Sequence, residues 1–153
     1  MPGPVEELAS LRLHLDAARA RGQRIVLTNG IFDLLHVGHL RYLRAARSLG
    51  DLLVVGVNAD SAVRKPGRPL VTAVERAELV AALQPVDCVV IFDEPTADTL
   101  LRQVRPDVYA KGADYSEATL PEAATVREIG AQLEFIPLEA NHSTSALIAR
   151  LAR

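Results

Sequence analysis

The sequence predicts an α/β fold, a doubly wound sheet of five parallel strands with helices on both faces. Five short, mostly continuous apolar runs alternate with segments in which apolar residues have helical spacing. Strands that are apolar throughout and alternate with helices are typical of a parallel sheet covered on both sides. A chain of 153 residues is long enough to form this architecture as a single domain, residues 1–153.

The first predicted element is an amphipathic helix over residues 5–21, which Gly22 ends. Its apolar stripe consists of Leu8, Leu11, Leu15 and Ala18. We interpret residues 1–22 as a leading helix beside an α/β core of residues 23–153. The stripe packs either on the domain or on a partner subunit. Because it lies beyond the core unit, we expect a homodimer.

Glycines, prolines and polar turns bound the other elements. Gly50 ends the second helix, Thr72 and Glu75 have the spacing of a capping box, and Pro121 and Gly130 delimit the fifth helix. The predicted strands are residues 24–28, 51–57, 87–92, 107–111 and 132–138. The predicted helices after the first are residues 38–49, 72–83, 96–104, 121–129 and 146–152.

Composition argues against several classes of function. A formal net charge of −2 gives no broad attraction to nucleic acid or to an anionic membrane, so any phosphate recognition must be local. Three Tyr, three Phe and no Trp leave few rings on which nucleic-acid bases could stack. No apolar run approaches the roughly 20 residues of a membrane span, and MPGPVEELAS lacks the features of a signal peptide. We therefore expect a cytoplasmic protein with no nucleic-acid or membrane partner.

The single cysteine, Cys88, fits that compartment. One cysteine cannot form an internal disulfide, which is typical of a reducing environment. It lies in the apolar run DCVVIF, where a free cysteine is usually buried in the core.

The unusual polar chemistry of the chain follows the predicted strands. GIFDLLHVGH, RKPGRP, KGADY and NHSTS come after the first, second, fourth and fifth strands. Ligands of open parallel sheets bind outside the carboxyl ends of the strands, near the point where the strand order reverses. We therefore expect these four segments to form the functional site.

His36 and His39 lie three residues apart where the first strand gives way to a helix, and this spacing places them on one face. A helix N-terminus attracts anions, so two imidazole donors there would clamp a phosphate, and Gly38 would let it approach the backbone. The residues alone leave other roles open. The pair could ligate zinc, although His14 and His142 are the only further histidines that could complete such a site. One of the two could act as a nucleophile, or both could lie incidentally at the surface.

The segment around this pair resembles a known family. HVGH after TNGIFD is similar to the HxGH signature of the Rossmann-like nucleotidyltransferases, which include cytidylyltransferases, pantetheine-phosphate adenylyltransferase and class I tRNA synthetases. The longer match, from about residue 5 to 150, resembles the D-glycero-β-D-manno-heptose 1-phosphate adenylyltransferases in order and spacing. It comprises TNGIFDLLHVGHLRYLRAARSLGD, VVGVNAD, GRPL, ERAE, VDCVVIFDE, RPDVYAKGADY and STSALI. Because a sugar-kinase half is not present in the sequence, we expect the stand-alone form of this enzyme.

The resemblance implies that AMP is transferred directly from ATP to a sugar 1-phosphate, with release of pyrophosphate and without a covalent enzyme intermediate. Hydrogen-bond donors and cations would then carry catalysis rather than a nucleophile. The expected small-molecule partners are ATP and the sugar 1-phosphate. Mg²⁺ is expected as a cofactor held mostly by the nucleotide and water, with no dedicated protein ligands.

The resemblance also implies roles for individual residues. It implies catalytic roles for His36, His39 and Lys65, and acceptor-binding roles for Asp33 and Arg76. The implied nucleotide-binding residues are Thr28, Asn29, Gly30, Phe32, Gly38, Lys111, Gly112, Asp114, Ser143, Thr144 and Ser145.

Ordinary structural roles compete with several of these assignments. Asp33 could form a turn through its own backbone, Arg76 could form a surface ion pair with Glu75 or a neighbouring acid, and Lys65 could be a solvated loop cation. Small hydroxyl residues at a helix start, such as Ser143, are usually caps.

One departure from the family pattern concerns the residues before the final helix. Many relatives have an arginine just before STS, whereas this chain has Glu139-Ala140-Asn141-His142, in which His142 is an alternative phosphate donor. Two other functions stay open, a cytidylyltransferase for a small phosphorylated alcohol such as glycerol 3-phosphate, and a nucleotide-binding module without turnover. The intact histidine pair, lysines and STS segment argue against the second.

Overall fold

The computed structural model describes residues 3–139 and 142–152 of the chain. The strands are β1 (Ile25–Gly30), β2 (Leu52–Asn58), β3 (Cys88–Phe92), β4 (Val108–Gly112) and β5 (Gln132–Ile136). The helices are α1 (Leu8–Ala20), α2 (Val37–Arg47), α3 (Ala73–Ala81), α4 (Asp98–Val104), α5 (Ala123–Ile129) and α6 (Thr144–Leu151), with a short 3₁₀ helix at Asp60–Ala62. Among the helices described here, none is long and apolar enough to cross a bilayer.

All strand pairs are parallel, and the strands lie in the order β3–β2–β1–β4–β5. The predicted α/β fold with a five-stranded parallel sheet is therefore confirmed. The strand order reverses between β1 and β4, where Val26 pairs with Val108 and Leu27 pairs with Tyr109. The loops after these two strands diverge at such a point and leave a crevice at the carboxyl ends of the strands.

The continuous apolar runs arise because both faces of the sheet are buried. Successive residues of β2 belong to opposite hydrophobic clusters, with Leu52 and Val54 in one and Leu53 and Val55 in the other. Helices α1, α4 and α5 contribute to the first cluster, and α2 and α3 contribute to the second. The sheet is thus covered by helices on both faces.

The leucine stripe of the leading helix lies inside this core. Leu11, Leu15 and Ala18 are fully buried in the cluster that also contains residues of α4 and α5. The expectation that the stripe lies beyond the α/β core is therefore wrong, because the face of the sheet beneath α1 needs an apolar cover. The homodimer remains a prediction, but this stripe no longer supports it.

The segment before α1 is extended rather than helical. Val5 forms a parallel bridge with Val89 of β3, and the Glu6 N–H donates to the Val89 carbonyl at 2.8 Å. These hydrogen bonds to an edge strand hold the segment extended, so α1 begins at Leu8 and not at residue 5.

Other boundaries differ from the predictions by a few residues. The Thr72 hydroxyl accepts a hydrogen bond from the Glu75 N–H at 3.4 Å, which confirms the predicted cap of α3. Strand β5 ends at Ile136 rather than at residue 138. Helix α6 begins at Thr144 with Ser143 as its N-cap, two residues earlier than predicted, because a serine oxygen satisfies a free backbone N–H of the first turn.

Candidate active site

A cavity of about 610 Å³ opens at the carboxyl ends of β1, β4 and β5. Small-molecule sites commonly occupy about 300–1,000 Å³, so this cavity is large enough for a nucleotide. The predicted site residues that line it are Asn29, Gly30, Phe32, His36, Gly38, His39, Lys111, Gly112, Asp114, Ser143 and Thr144. The loops after the first, fourth and fifth strands therefore meet at one site, whereas RKPGRP after the second strand, the fourth segment expected there, is not among the lining residues of this cavity.

The turn between β1 and α2 has a strained backbone. Phe32 and Leu34 have φ values of 54° and 50°, in the left-handed region that L residues seldom adopt. The buried Phe32 ring packs against His39, with 5.6 Å between the ring centroids. A side chain at Gly30 would meet the Phe32 ring at 3.0 Å. Packing of this ring thus holds the turn in the conformation that directs His39 to the cavity.

The two histidines build the N-terminus of α2. Nδ1 of His36 accepts a hydrogen bond from the Gly38 N–H at 3.1 Å, and Nδ1 of His39 accepts one from the His36 N–H at 3.2 Å. Because each Nδ1 is an acceptor, the proton of each neutral ring is on Nε2. The rings lie 3.9 Å apart between centroids, and both line the cavity. They can therefore offer two adjacent Nε2–H donors to one ligand.

Both imidazoles are mainly neutral at pH 7 in the free protein. Burial, and secondarily the neighbouring His36, lowers the pKa of His39 to about 4. Burial, and secondarily His142, lowers the pKa of His36 below its usual value. A bound phosphate would reverse part of this shift, because a nearby negative charge favours the protonated ring.

A second helix N-terminus faces the same cavity. Ser143 caps α6 by accepting a hydrogen bond from the Ala146 N–H at 3.0 Å, which leaves its hydroxyl proton for a ligand. The Thr144 hydroxyl donates to the Asp33 carbonyl at 2.6 Å and so ties α6 to the turn after β1. The partial positive charges of α2 and α6 therefore act on one volume, an arrangement that favours an anion.

Lys111 lies at the switch point of the sheet. Its Nζ donates to the Asn29 carbonyl at 3.4 Å and lies 5.2 Å from the centroid of the Tyr115 ring. Burial lowers the pKa of Lys111, and the carboxylates of Glu122 and Asp114 partly offset this effect. The ammonium is thus a partly desolvated cation, which interacts more strongly with a phosphate than an exposed lysine does.

The lining of the cavity includes carboxylates that could hold the Mg²⁺ of a bound nucleotide. The carboxylates among its described lining residues are Asp114 and Glu139, and Glu139 is paired with Arg41 at 2.5 Å. A side chain at Gly112 would meet Asp114 Oδ1 at 2.6 Å, so the glycine lets this carboxylate lie against β4. Mg²⁺ is typically held by substrate phosphates, water and one or two carboxylates. Asp114 is the lining residue whose carboxylate could join such a set.

Sequence reasoning missed Arg41 and Tyr42, which both line the cavity from α2. The Tyr42 hydroxyl donates to the Thr28 hydroxyl at 2.7 Å, and its oxygen lies 3.2 Å from the Ala110 carbonyl oxygen. Burial raises the pKa of Tyr42 to about 12, so its hydroxyl stays protonated. The available signal was the three-residue spacing from His39 to Tyr42, which places both on one helix face.

His142 also lines the cavity, and its Nε2 lies 3.8 Å from the Glu139 carboxylate. His142, the alternative phosphate donor that the sequence offered, therefore lies where it could contact a ligand in the cavity. Ala140 and Asn141, which complete the departure from the family pattern, lie outside the described residues.

Thr28 does not reach the cavity, which corrects its predicted phosphate contact. Its side chain is fully buried, and the hydroxyl donates to the Ala110 carbonyl at 2.8 Å while accepting a hydrogen bond from the Tyr42 hydroxyl at 2.7 Å. The hydroxyl therefore joins β1, β4 and α2, and no part of it is free for a ligand.

Asp33 is likewise internal to the protein, so its expected contact with the acceptor is corrected. Its carboxylate accepts hydrogen bonds from Arg68 Nε at 2.7 Å and from the Leu70 and Val71 N–H groups at 2.9 and 3.0 Å. Burial alone would raise the pKa of Asp33, but these hydrogen bonds outweigh burial and lower it. Asp33 thus anchors the loop after β2 to the turn after β1.

Arg76 also holds the loop after β2 against the turn after β1, and it does not line the cavity. It is fully buried and donates to the carbonyls of Val71 at 2.8 Å and Ile31 at 2.5 Å. It also pairs with Asp60 at 2.8 Å. All three groups of the guanidinium are engaged, which corrects its expected contact with the acceptor.

Lys65 and Ser145 are exposed and are not among the lining residues of the cavity. Lys65 belongs to the loop that Asp33 anchors at Arg68. The predicted contacts of Lys65 and Ser145 with the nucleotide remain predictions.

A second, smaller cavity of about 270 Å³ adjoins the first. The two share Asn29, Gly30, Ile31, Lys111 and Tyr115. The other residues that line the smaller cavity are the polar Asn58, Thr96 and Glu122 and two prolines, Pro95 and Pro121. Lys111 therefore contributes to both cavities.

The chain is similar to a known family and to known proteins over most of its length. The family model described as Cytidylyltransferase-like matches residues 27–150. The chain is 47% identical over 145 residues, 93% of its length, to the bifunctional protein HldE of Syntrophotalea carbinolica. It spans about 30% of the length of the curated relatives it matches.

Two solved structures have the same fold. The lipopolysaccharide core biosynthesis protein from Thermoplasma volcanium is 30% identical, with a TM-score of 0.66 over 77% of this chain and 98% of that one. The pantoate-beta-alanine ligase from Francisella tularensis is 14% identical, with a TM-score of 0.67 over 95% of this chain and 69% of that one. The second likeness concerns the fold alone.

Proposed function

Because the chain belongs to the cytidylyltransferase-like family of nucleotidyltransferases, we propose that it transfers AMP from ATP to a sugar 1-phosphate. The proposed acceptor is D-glycero-D-manno-heptose 1-phosphate, and the products are ADP-heptose and pyrophosphate. The observation that carries this proposal is the pair of adjoining cavities, one with histidine and helix donors and one with polar side chains, joined at Lys111. The match to HldE and the likeness to a lipopolysaccharide core biosynthesis protein support the acceptor class.

ATP occupies the larger cavity in this proposal. The Nε2–H groups of His36 and His39 and the N-termini of α2 and α6 bind the phosphates, because all of them are donors aimed at one volume. Arg41 and His142 add donors on the rim. The backbone conformation of the turn after β1 is held by Phe32 before ATP binds, so the donors need little reorganisation.

The acceptor occupies the smaller cavity. A sugar has many hydroxyl groups that need both donors and acceptors, and Asn58, Thr96 and Glu122 supply both. Glu122 is almost fully buried, and its Oε1 accepts a hydrogen bond from the Ala97 N–H at 3.1 Å, which fixes the carboxylate in place. The acceptor phosphate then lies next to Lys111, at the boundary between the cavities.

Transfer occurs between the two sites. An oxygen of the acceptor phosphate attacks the α-phosphorus of ATP, forming a new P–O bond while the bond to the β-phosphate oxygen breaks and pyrophosphate leaves. The Lys111 ammonium holds the two phosphates together against their repulsion, and the histidine N–H groups hydrogen-bond the oxygens on which charge increases. Mg²⁺, when bound to the nucleotide, would supply charge neutralisation, with Asp114 as a candidate ligand. Lys65 is proposed to add a further cation if its loop approaches the bound triphosphate.

The test measures the release of pyrophosphate in the presence of Mg²⁺. ATP and CTP are each assayed with three kinds of acceptor: heptose 1-phosphate, other sugar 1-phosphates and glycerol 3-phosphate. Variants Lys111→Met and Glu122→Gln probe the boundary and the acceptor wall, and Glu128→Gln is a matched control on an exposed helix surface. We expect turnover with ATP and heptose 1-phosphate, a loss of at least about 100-fold in kcat for Lys111→Met, and a higher KM for the sugar alone in Glu122→Gln.

Other outcomes separate the alternatives. Turnover only with CTP or only with glycerol 3-phosphate would retain nucleotidyl transfer but reject the proposed substrates. Binding of ATP without turnover across the whole panel would support a nucleotide-binding module. Equal loss of activity in Glu128→Gln and Glu122→Gln would indicate general damage rather than a role in acceptor binding.

A further inference from the structure

Three residues with metal-binding side chains meet where the N-terminal segment and α1 pack against β3, and none of the three lines either cavity of the candidate active site. Glu6 lies in the extended segment before α1, His14 lies on α1, and Cys88 is the first residue of β3. One ligand atom from each, a carboxylate oxygen, an imidazole nitrogen and the thiol sulfur, lies within 4.8 Å of the other two. Cys88 pairs with Val54 in the first half of β2 and packs in the hydrophobic cluster beneath α1, whereas the two cavities open at the carboxyl ends of the strands.

One oxygen of the Glu6 carboxylate is buried and has no hydrogen-bond partner among the described residues. Glu6 Oε1 lies 3.4 Å from His14 Nδ1, but Oε2 is buried and accepts no hydrogen bond from any residue of 3–139 or 142–152. The Glu6 side chain is only 12% exposed, and Cys88 is fully buried. A buried carboxylate oxygen without a partner is costly, and coordination to a cation is one way in which proteins satisfy such a group.

The distances are close to those of a tetrahedral zinc site. Zinc bonds of about 2.0–2.3 Å place neighbouring ligand atoms of a tetrahedron about 3.3–3.8 Å apart. The separation of 3.4 Å between Glu6 and His14 already has this value. The other two separations are at most 4.8 Å, about 1 Å longer than in such a tetrahedron.

We propose that Glu6, His14 and Cys88 bind one Zn²⁺ ion, with water in the fourth position. A thiolate, an imidazole and a carboxylate together favour zinc over the oxygen-seeking Mg²⁺. Binding releases the thiol proton of Cys88 to solvent, because the thiolate is the metal ligand. The ion fastens the N-terminal segment and α1 to the edge strand β3, and its role is to stabilise this edge of the protein.

The test is titration of the full chain with Co²⁺, a spectroscopic substitute for Zn²⁺, followed by displacement with Zn²⁺. Cys88 is the only cysteine, so a thiolate-to-cobalt charge-transfer band reports this residue and no other. We expect the band in the unaltered chain, its loss on adding Zn²⁺, and its persistence in excess Mg²⁺. Zn²⁺ should also raise the Tm of the unaltered chain.

Variants separate a metal site from a simple ion pair. His14→Gln and Glu6→Gln should weaken Zn²⁺ binding by about 100-fold or more, since loss of an outer-sphere partner alone costs 10–100-fold. Asp16→Asn, an exposed carboxylate on the same helix, should bind Zn²⁺ as the unaltered chain does. Pyrophosphate release should be unchanged in His14→Gln, because His14 lines neither cavity.

Two results would overturn the proposal. One is the absence of the thiolate–cobalt band at saturating Co²⁺, and the other is full Zn²⁺ affinity in His14→Gln. Cys88→Ser alters a fully buried position, so if it fails to fold, the two variants at Glu6 and His14 decide the question.

Discussion

The imidazole of His39 accepts a hydrogen bond at Nδ1 from the backbone N–H of His36, at 3.2 Å. The His36 ring accepts one in the same way from Gly38. Each ring therefore uses Nδ1 to build the start of α2 and has Nε2 available for the cavity. Fold and site depend on different atoms of the same side chains, so substitutions that imitate only one nitrogen can separate the two contributions.

His39→Asn and His39→Gln are expected to have different effects. Asparagine places an amide near the Nδ1 position and keeps the cap, whereas glutamine places one near the Nε2 position and keeps a donor in the cavity. We expect His39→Asn to lower kcat by about 10²–10³ with little change in stability. His39→Gln should retain more activity but lose about 1 kcal/mol of stability. Steady-state kinetics and urea unfolding check both, and equal kcat values in the two variants would contradict the assignment of Nε2.

The depressed pKa of His39 makes stability dependent on pH. An unfolded histidine titrates near pH 6.5, whereas His39 in the folded protein titrates at about 4. Between these values the unfolded state binds more protons, so the free energy of unfolding should fall as pH falls from about 6.5 toward 4. The full contribution of neutral, buried His39 to the free energy of unfolding is present above about pH 6.5. Urea unfolding at several pH values should show a shallower decline in His39→Asn, and identical declines in both proteins would contradict this.

Asp33→Asn should destabilise the protein by about 3 kcal/mol, because it leaves the largely buried Arg68 without its partner. The lowered pKa of Asp33 means that this contribution is present above the unfolded value of about 3.9 and is lost as pH falls through the lower folded value. Denaturant unfolding at neutral pH measures the difference. Glu117→Gln, which breaks an exposed ion pair, is the control and should cost at most about 1 kcal/mol.

Arg41→Gln should raise the KM for ATP roughly tenfold, since a charge-assisted hydrogen bond contributes about 1.5–3 kcal/mol. Arg44→Gln is its matched control, because Arg44 is exposed on the same helix and does not line the large cavity. Kinetics at varied ATP concentration distinguish the two. A similar rise in KM for both variants would point to a general effect of net charge and not to contact with ATP.

Much of the fold and the centre of the site could be predicted from the sequence. Among the described residues, the five strands and six α-helices were predicted to within a few residues, because apolar spacing and the positions of glycine and proline reflect local backbone geometry; the 3₁₀ helix at Asp60–Ala62 was not predicted. The meeting of HVGH, KGADY and STS followed from the rule that the carboxyl ends of parallel strands form one edge. That rule needs only the order of elements along the chain and the right-handed crossovers between parallel strands.

What the sequence by itself determined was therefore the α/β architecture and the placing of the histidine pair at a helix start. Only the tertiary structure decided that Asp33 and Arg76 anchor loops, that Thr28 is internal, and that the stripe of α1 is buried within the chain. The physical reason is that periodicity is a property of neighbouring residues, whereas the partner of a polar side chain is set by segments distant in sequence. Asp33 and the N–H of Val71 are 38 positions apart, and folding alone brings them together.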